Sequence, residues 1–221
     1  MNQATETEQT IYQGQFGDFT ITSRDRQGVI LYRAMLVIAA LSFALGSGLI
    51  LWLGPQPWLV RLLTPLYTCF SLALGGSLLL IHIYMVALHR ALQGFWLIGS
   101  LAAIGVAHFS PAPFGETVYL YPISLLGVGF TFAALTGIFF KEAFCFNRLE
   151  TKVLTPLVPL LLLGHLTGLL PLSVEKVLLG LWAGLFLVFA MRKTFQPIPA
   201  DIGDKSVFEY LKRRAIEPQD A

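Results

Sequence analysis

Histidine is the first residue type in this chain that could do chemistry, with 4 in 221 residues. His165 falls in the middle of an apolar run, between Gly164 and Thr167, with Gly168 on its face. Small neighbours leave the room that a flat macrocycle needs to reach an imidazole. The plainer role is a helix–helix hydrogen bond worth about 1 kcal/mol. His82, Met85 and His89 recur at i, i+3 and i+7, so within one helix they share a face. Two imidazoles and a thioether suit copper or haem, although no third histidine is close in sequence and His89 beside Arg90 also reads as a residue of the membrane edge. His108 reads as interfacial. The expected state is no cofactor and no metal, with chlorophyll or haem on His165 or His82 as the minor alternative.

Phe139-Phe140-Lys141-Glu142-Ala143-Phe144-Cys145-Phe146-Asn147-Arg148 is the most distinctive stretch. A nucleophilic cysteine needs a nearby base or cation, and Glu142, three residues before Cys145, discourages a thiolate. No nucleophile–base or acid–base set appears at usable spacing, so the expectation is that the chain is not an enzyme. Aromatic rings interleaved with charge suit an anchor at the membrane boundary or a contact patch for a partner. Lys141, Glu142, Phe144, Cys145 and Phe146 are the candidate partner-binding residues, together with Tyr12 and Phe16 near the N-terminus.

The elements that must position these residues are six long apolar runs. They span Tyr32–Leu53, Leu62–Ala87, Leu92–Phe109, Thr117–Phe140, Leu154–Leu170 and Val174–Met191. Crossing a hydrocarbon core of about 30 Å takes on the order of 20 helical residues. Apolar residues are 55% of the chain and charged residues only 13%, about half the usual soluble share. The pattern predicts an all-α, polytopic helical membrane protein. Residues 1–31 form an N-terminal tail, 32–191 the six-helix domain and 192–221 a C-terminal tail. Only a short link at Pro171–Ser173 separates the last two runs, which leaves a re-entrant hairpin open there.

No Asp, Glu, Lys or Arg lies deep in these runs, which weakens proton-coupled transport and aspartate-based intramembrane proteolysis. With six spans both tails share a side. Of 15 Lys and Arg, only Arg61 and Lys176 fall opposite, leaving 13 on the tail side. The positive-inside rule then predicts cytoplasmic termini. The acidic first thirty residues do not resemble a cleaved signal, two cysteines make no disulfide framework, and the basic residues form no stripe for nucleic acid.

Residues 11–22 alternate apolar and polar around Gly14 and Gly17, predicting a short hairpin. Beyond Pro197 and Pro199, residues 206–211 predict a short amphipathic helix, with Val207, Phe208 and Leu211 on one face before Lys212-Arg213-Arg214. That face could meet anionic headgroups or pack on the bundle's own loops. Small residues recur every four positions: Ala40, Ala44 and Gly48; Gly99, Ala103 and Ala107; Gly129, Ala133 and Gly137; Gly164 and Gly168; Gly180 and Gly184. Such faces allow close helix packing, or outward docking grooves. Leu-Thr-Pro-Leu opens both the second run, at Leu63–Leu66, and the fifth, at Leu154–Leu157, as an inverted repeat would.

Tyr12–Gly17, Arg24–Gly28 and Lys141–Phe146 resemble a family of integral membrane proteins of unknown function, typical of cyanobacteria with relatives in plastids. The resemblance runs over nearly the whole chain. It implies a membrane of an oxygenic phototroph, thylakoid or plasma membrane, and carries over no catalytic residue. The expected function is a non-enzymatic accessory or assembly protein that contacts lipid and other integral membrane proteins, including a photosystem assembly intermediate. The alternative is a transporter or channel for a small neutral or lipidic solute.

Overall fold

The computed structural model describes residues 10–216. A two-stranded antiparallel hairpin opens it, β1 (Ile11–Gly14) paired with β2 (Gly17–Thr20), Tyr12 opposite Phe19. Gly17 sits at φ 132°, a turn conformation that side chains with a Cβ avoid. Helix α1 (Ser23–Leu53) starts on a capping box: Asp25 N–H donates to Thr22 Oγ1 at 3.2 Å, and Thr22 N–H donates back to Asp25 at 2.8 Å. Four further long helices and one broken one follow: α2 (Pro57–Leu80), α3 (Val86–Phe109), short α4 (Phe114–Leu120), α5 (Leu125–Phe146), α6 (Leu149–Leu166) and α7 (Leu172–Thr194). Short α8 (Ile198–Ile202) and α9 (Lys205–Ile216) close the described chain.

Six of the helical segments are long and apolar enough to cross a membrane, counting the 3-10 turn Pro122–Ser124 with α5. The long helices form a ring. Each packs on its neighbour in the order α1, α2, α3, α5, α6, α7, and α7 closes on α1. Phe43, Phe70, Phe132, Trp182 and Phe186 fill the centre, with Phe43 and Trp182 ring centroids 4.4 Å apart. Between apolar helices in lipid, close van der Waals packing and interhelical hydrogen bonds supply the attraction. Thus Trp96 Nε1 donates to the Ser71 carbonyl at 2.7 Å, and Tyr67 and Thr131 hydroxyls meet at 2.8 Å.

Two of the small-residue faces, those of α3 and α5, serve this packing closely. A Cβ on Gly99 would lie 2.3 Å from the Thr131 amide nitrogen, and one on Gly137 would lie 2.2 Å from Leu92. Gly48 and Gly184 face open space. Gly164 is packed by its own turn, because a Cβ there would meet Leu170 at 2.3 Å. Of the small surface beside His165, the Gly164 half is therefore filled, whereas Gly168 faces open space.

Several boundaries differ from the sequence pattern: α1 begins at Ser23 and not Tyr32, and α2 and α3 begin at Pro57 and Val86 and not Leu62 and Leu92. Helix α2 stops at Leu80, not Ala87: Ile81 takes an extended backbone at ψ 138°, the link to α3 is not helical, and Ile81 and Ile83 are buried. The fourth run breaks at Tyr121-Pro122, where Tyr121 takes φ −119°, ψ 77°. The clash of a proline ring with the preceding residue explains it. Helix α5 then carries on through Phe146 and ends at Asn147 in the left-handed conformation, φ 52°. Helix α6 begins at Leu149 and ends at Leu166, so it is shifted towards the termini-bearing face. Its 18 residues reach about 27 Å, and α7 follows as a second full helix rather than the return arm of a re-entrant hairpin.

Candidate functional site

Both described ends of the chain meet on one face, and there the helix ends deliver charge into the protein interior. Glu142 comes from α5, Lys193 from the last turn of α7, Arg33 from α1 and Asp201 from α8, and all four are buried. Lys193 donates to Glu142 Oε2 at 2.7 Å and also pairs with Asp201. Arg33 holds Asp201 Oδ2 through Nε at 2.8 Å and Nη2 at 2.6 Å. Gln196 adds a donor to Asp201 Oδ1 at 3.2 Å, and Lys141 pairs with Glu142 Oε1 at 3.0 Å. Two buried cations thus balance two buried anions, and each carboxylate has more than one donor. Charge at such depth persists only with geometry of this quality.

Rings complete the cluster. The Lys193 ammonium lies 4.4 Å from the centroid of Phe146 and 5.8 Å from that of Tyr32, while Lys141 lies 5.1 Å from Phe146. A cation over an aromatic face gains electrostatically, and more so once desolvated. A second cluster flanks it, with Arg192 donating to Glu150 at 2.7 Å and Arg148 bonded to Gln196. Together these bonds fix the register of α1, α5, α6, α7 and α8 at one end of the ring.

The hairpin and α9 form a cap on this face. Asp204 sits just before α9 and accepts from Ser206 N–H at 2.9 Å, the position of a helix cap. The same carboxylate accepts from Gln15 N–H at 2.6 Å, and Ser206 Oγ accepts from Phe16 N–H at 3.0 Å. These bonds, led by the Ser206 hydroxyl and then the Gln15 amide, hold the Asp204 carboxyl below its usual range. Phe16 stacks on Tyr210 at 4.0 Å, Tyr84 on Phe208 at 4.7 Å, and Lys205 pairs with Asp25 at 2.8 Å. Of the two fates open to the amphipathic face, Phe208 takes packing on the bundle's own loops.

The candidates read from the sequence are divided by the fold. Lys141, Glu142 and Phe146 join the ion cluster, whereas Phe144 and Cys145 point outwards. Tyr12 stacks on Phe19 inside the hairpin, and Phe16 lies partly open at its turn. His82 is not on a helix. It sits in the extended link after α2, edge-on to Phe208 at 6.3 Å, and burial pushes its imidazole below the ordinary value. His82, Met85 and His89 therefore share no helical face, because His89 belongs to α3 and bonds to the Leu78 carbonyl at 2.6 Å. His165 is in the last turn of α6, not mid-span. Its Nδ1 lies 2.7 Å from Glu175 Oε1, its Nε2 lies 3.1 Å from the Tyr119 carbonyl, and its ring stacks on Tyr119 at 5.0 Å. The Glu175 carboxylate and the Tyr119 carbonyl thus occupy both ring nitrogens. Among the described residues no group of three or more His, Cys, Asp or Glu is placed to hold a metal ion.

Sequence reasoning missed the buried cluster because Arg33, Lys193 and Arg148 read as topology residues. The available signal was acidic: Glu142, Glu150 and Asp201 lie on the same face as those cations.

A ring of six apolar helices with ion-paired ends defines a polytopic integral membrane protein. The chain belongs to the family described as uncharacterized integral membrane protein (DUF2301), whose model matches residues 76–210. That range contains Lys141–Phe146 but not the two N-terminal stretches. No curated protein matches the chain, and no solved structure matches it either.

Proposed function

We propose that this protein is a non-enzymatic accessory protein of a photosynthetic membrane, holding partner membrane proteins against its termini-bearing face during assembly. The observation that carries the reading is a rim of exposed rings around an ion-locked platform. Phe144 and Phe195 are each 83% exposed and stand two residues after Glu142 and Lys193, the buried pair. Rings held on a rigid support are the usual anchors of protein contacts. The 13 basic residues of this side favour a cytoplasmic orientation. The phototroph membrane, thylakoid or plasma membrane, follows from the resemblance alone, and photosystem assembly from analogy with small proteins of such membranes.

The test is an affinity pull-down of tagged protein from its native membrane in mild detergent. Stoichiometric membrane-protein partners are expected with the wild type and are expected to be lost with Phe144→Ala/Phe195→Ala. Partners that survive the double substitution, in protein that melts like wild type, sink the docking surface. A carrier of neutral or lipidic solutes is the second reading, favoured by Pro65 inside α2 and Pro156 inside α6. The packed aromatic centre of the ring makes accessory binding the better account of the same helices.

A further inference from the structure

A cleft of about 290 Å³ opens on the outside of the ring between the end of α5 and the first turns of α6, lined by Phe140, Ala143, Phe144, Lys152, Thr155 and Pro156. Its origin is local. Ala143 leaves a gap between Phe140 and Phe144, whose rings stand 6.5 Å apart. Across from it, Pro156 interrupts α6. Pro156 has no N–H to give the Lys152 carbonyl, so that acceptor is left without its helical donor.

The lining is ordered by depth. Helix α5 ends at Phe146 and α6 begins at Leu149, both at the same membrane boundary. At 1.5 Å per residue, Lys152 lies about 5 Å from that end, whereas Phe140 and Pro156 lie about 9–10 Å from it. Charge therefore sits at headgroup level and carbon beneath it. Lys141, Arg148, Arg192 and Lys193 are all ion-paired, whereas Lys152, the cation of this lining, is exposed and has no ion-pair partner among the described residues.

We propose that this cleft is a binding site for one anionic phospholipid, with the phosphate on the Lys152 ammonium and an acyl chain running past Ala143 and Thr155 to Phe140 and Pro156. The freed Lys152 carbonyl accepts from a headgroup hydroxyl. The order of charge above carbon favours a lipid over a partner helix as occupant, because a headgroup and its acyl chain follow that same order into the membrane. The site stands whether or not the rim of exposed rings docks a partner.

The test uses full-length protein in neutral detergent, titrated with phosphatidylglycerol or with phosphatidylcholine of the same acyl chains. Bound lipid is counted by native mass spectrometry. One retained phosphatidylglycerol is expected, held more tightly than phosphatidylcholine. Lys152→Gln should weaken it about fivefold, the worth of one basic residue near an anionic surface. Ala143→Trp should abolish retention by filling the cleft, and Lys176→Gln on the opposite face should leave it unchanged. Equal retention of the two lipids, or retention unaffected by Lys152→Gln in protein with wild-type melting, overturns the assignment. So does release of a co-purifying polypeptide, and not of lipid, by Ala143→Trp. Should Ala143→Trp melt early, Lys152→Gln alone decides.

Discussion

Replacing Lys193 with methionine removes the cation at the centre of the buried cluster while roughly preserving side-chain volume. Lys193 is fully buried, 2.7 Å from Glu142 Oε2 and in contact with Asp201. Removing one partner of a buried ion pair typically costs 3–5 kcal/mol, because the remaining charge stays desolvated. Here neither carboxylate is left alone: Glu142 keeps Lys141 at 3.0 Å, and Asp201 keeps Arg33. The expected loss is therefore at the low end, about 3 kcal/mol. Adding Glu142→Gln removes the carboxylate that Lys193→Met leaves with Lys141 as its one remaining cation, so the double variant should be more stable than the sum of the single losses by about 1–2 kcal/mol, within the range of contacting residues. Unfolding in mixed micelles with rising dodecyl sulfate, followed by circular dichroism, measures all three variants. A loss below about 1 kcal/mol for Lys193→Met, or strictly additive losses, would refute the view that this cluster is a paired and desolvated unit.

Two further outcomes follow from the same geometry. Cys145 is exposed one residue before the end of α5, whereas Cys69 is exposed deep in α2 towards lipid. In sealed vesicles a membrane-impermeant maleimide should label Cys145 from the termini-bearing side alone and leave Cys69 untouched. Labelling of Cys69 at a similar rate would mean that α2 is misplaced relative to the membrane. The bonds that hold the Asp204 carboxyl below its ordinary 3.8 keep it charged over a wider range in the folded cap than in the unfolded chain. That contribution is complete above the ordinary value and is lost as pH falls below it. Hydrogen exchange at the Gln15 and Phe16 amides, corrected for intrinsic rates, should accelerate on acidification in the wild type and not in Asp204→Asn. Identical pH profiles would exclude Asp204 as the lock between hairpin and α9.

The hairpin, the six spans and the terminal helix were legible because each depends on neighbours in sequence. Alternation around Gly14 and Gly17 specifies β1 and β2, and apolar length specifies the spans. Misplaced boundaries came from competition between local signals. In Ile81–Tyr84 the alternation of isoleucines overrides an otherwise helical run, and Pro122 breaks the fourth span at a point where hydropathy stays high. These shifts moved the candidate histidines most. His82 left the helix assigned to it, and His165 slid from mid-span to a helix end, where Glu175 and the Tyr119 carbonyl take both of its nitrogens.

The sequence by itself determined that this chain crosses a membrane six times with both tails together, since hydrocarbon thickness sets a length that apolar runs must meet. Tertiary structure alone decided what the charged helix ends do. Glu142 and Lys193 are 51 residues apart, and Arg33 and Asp201 are 168 apart. Whether such residues face water or one another depends on the rotation and depth of helices packed in a ring, and no local pattern encodes that register.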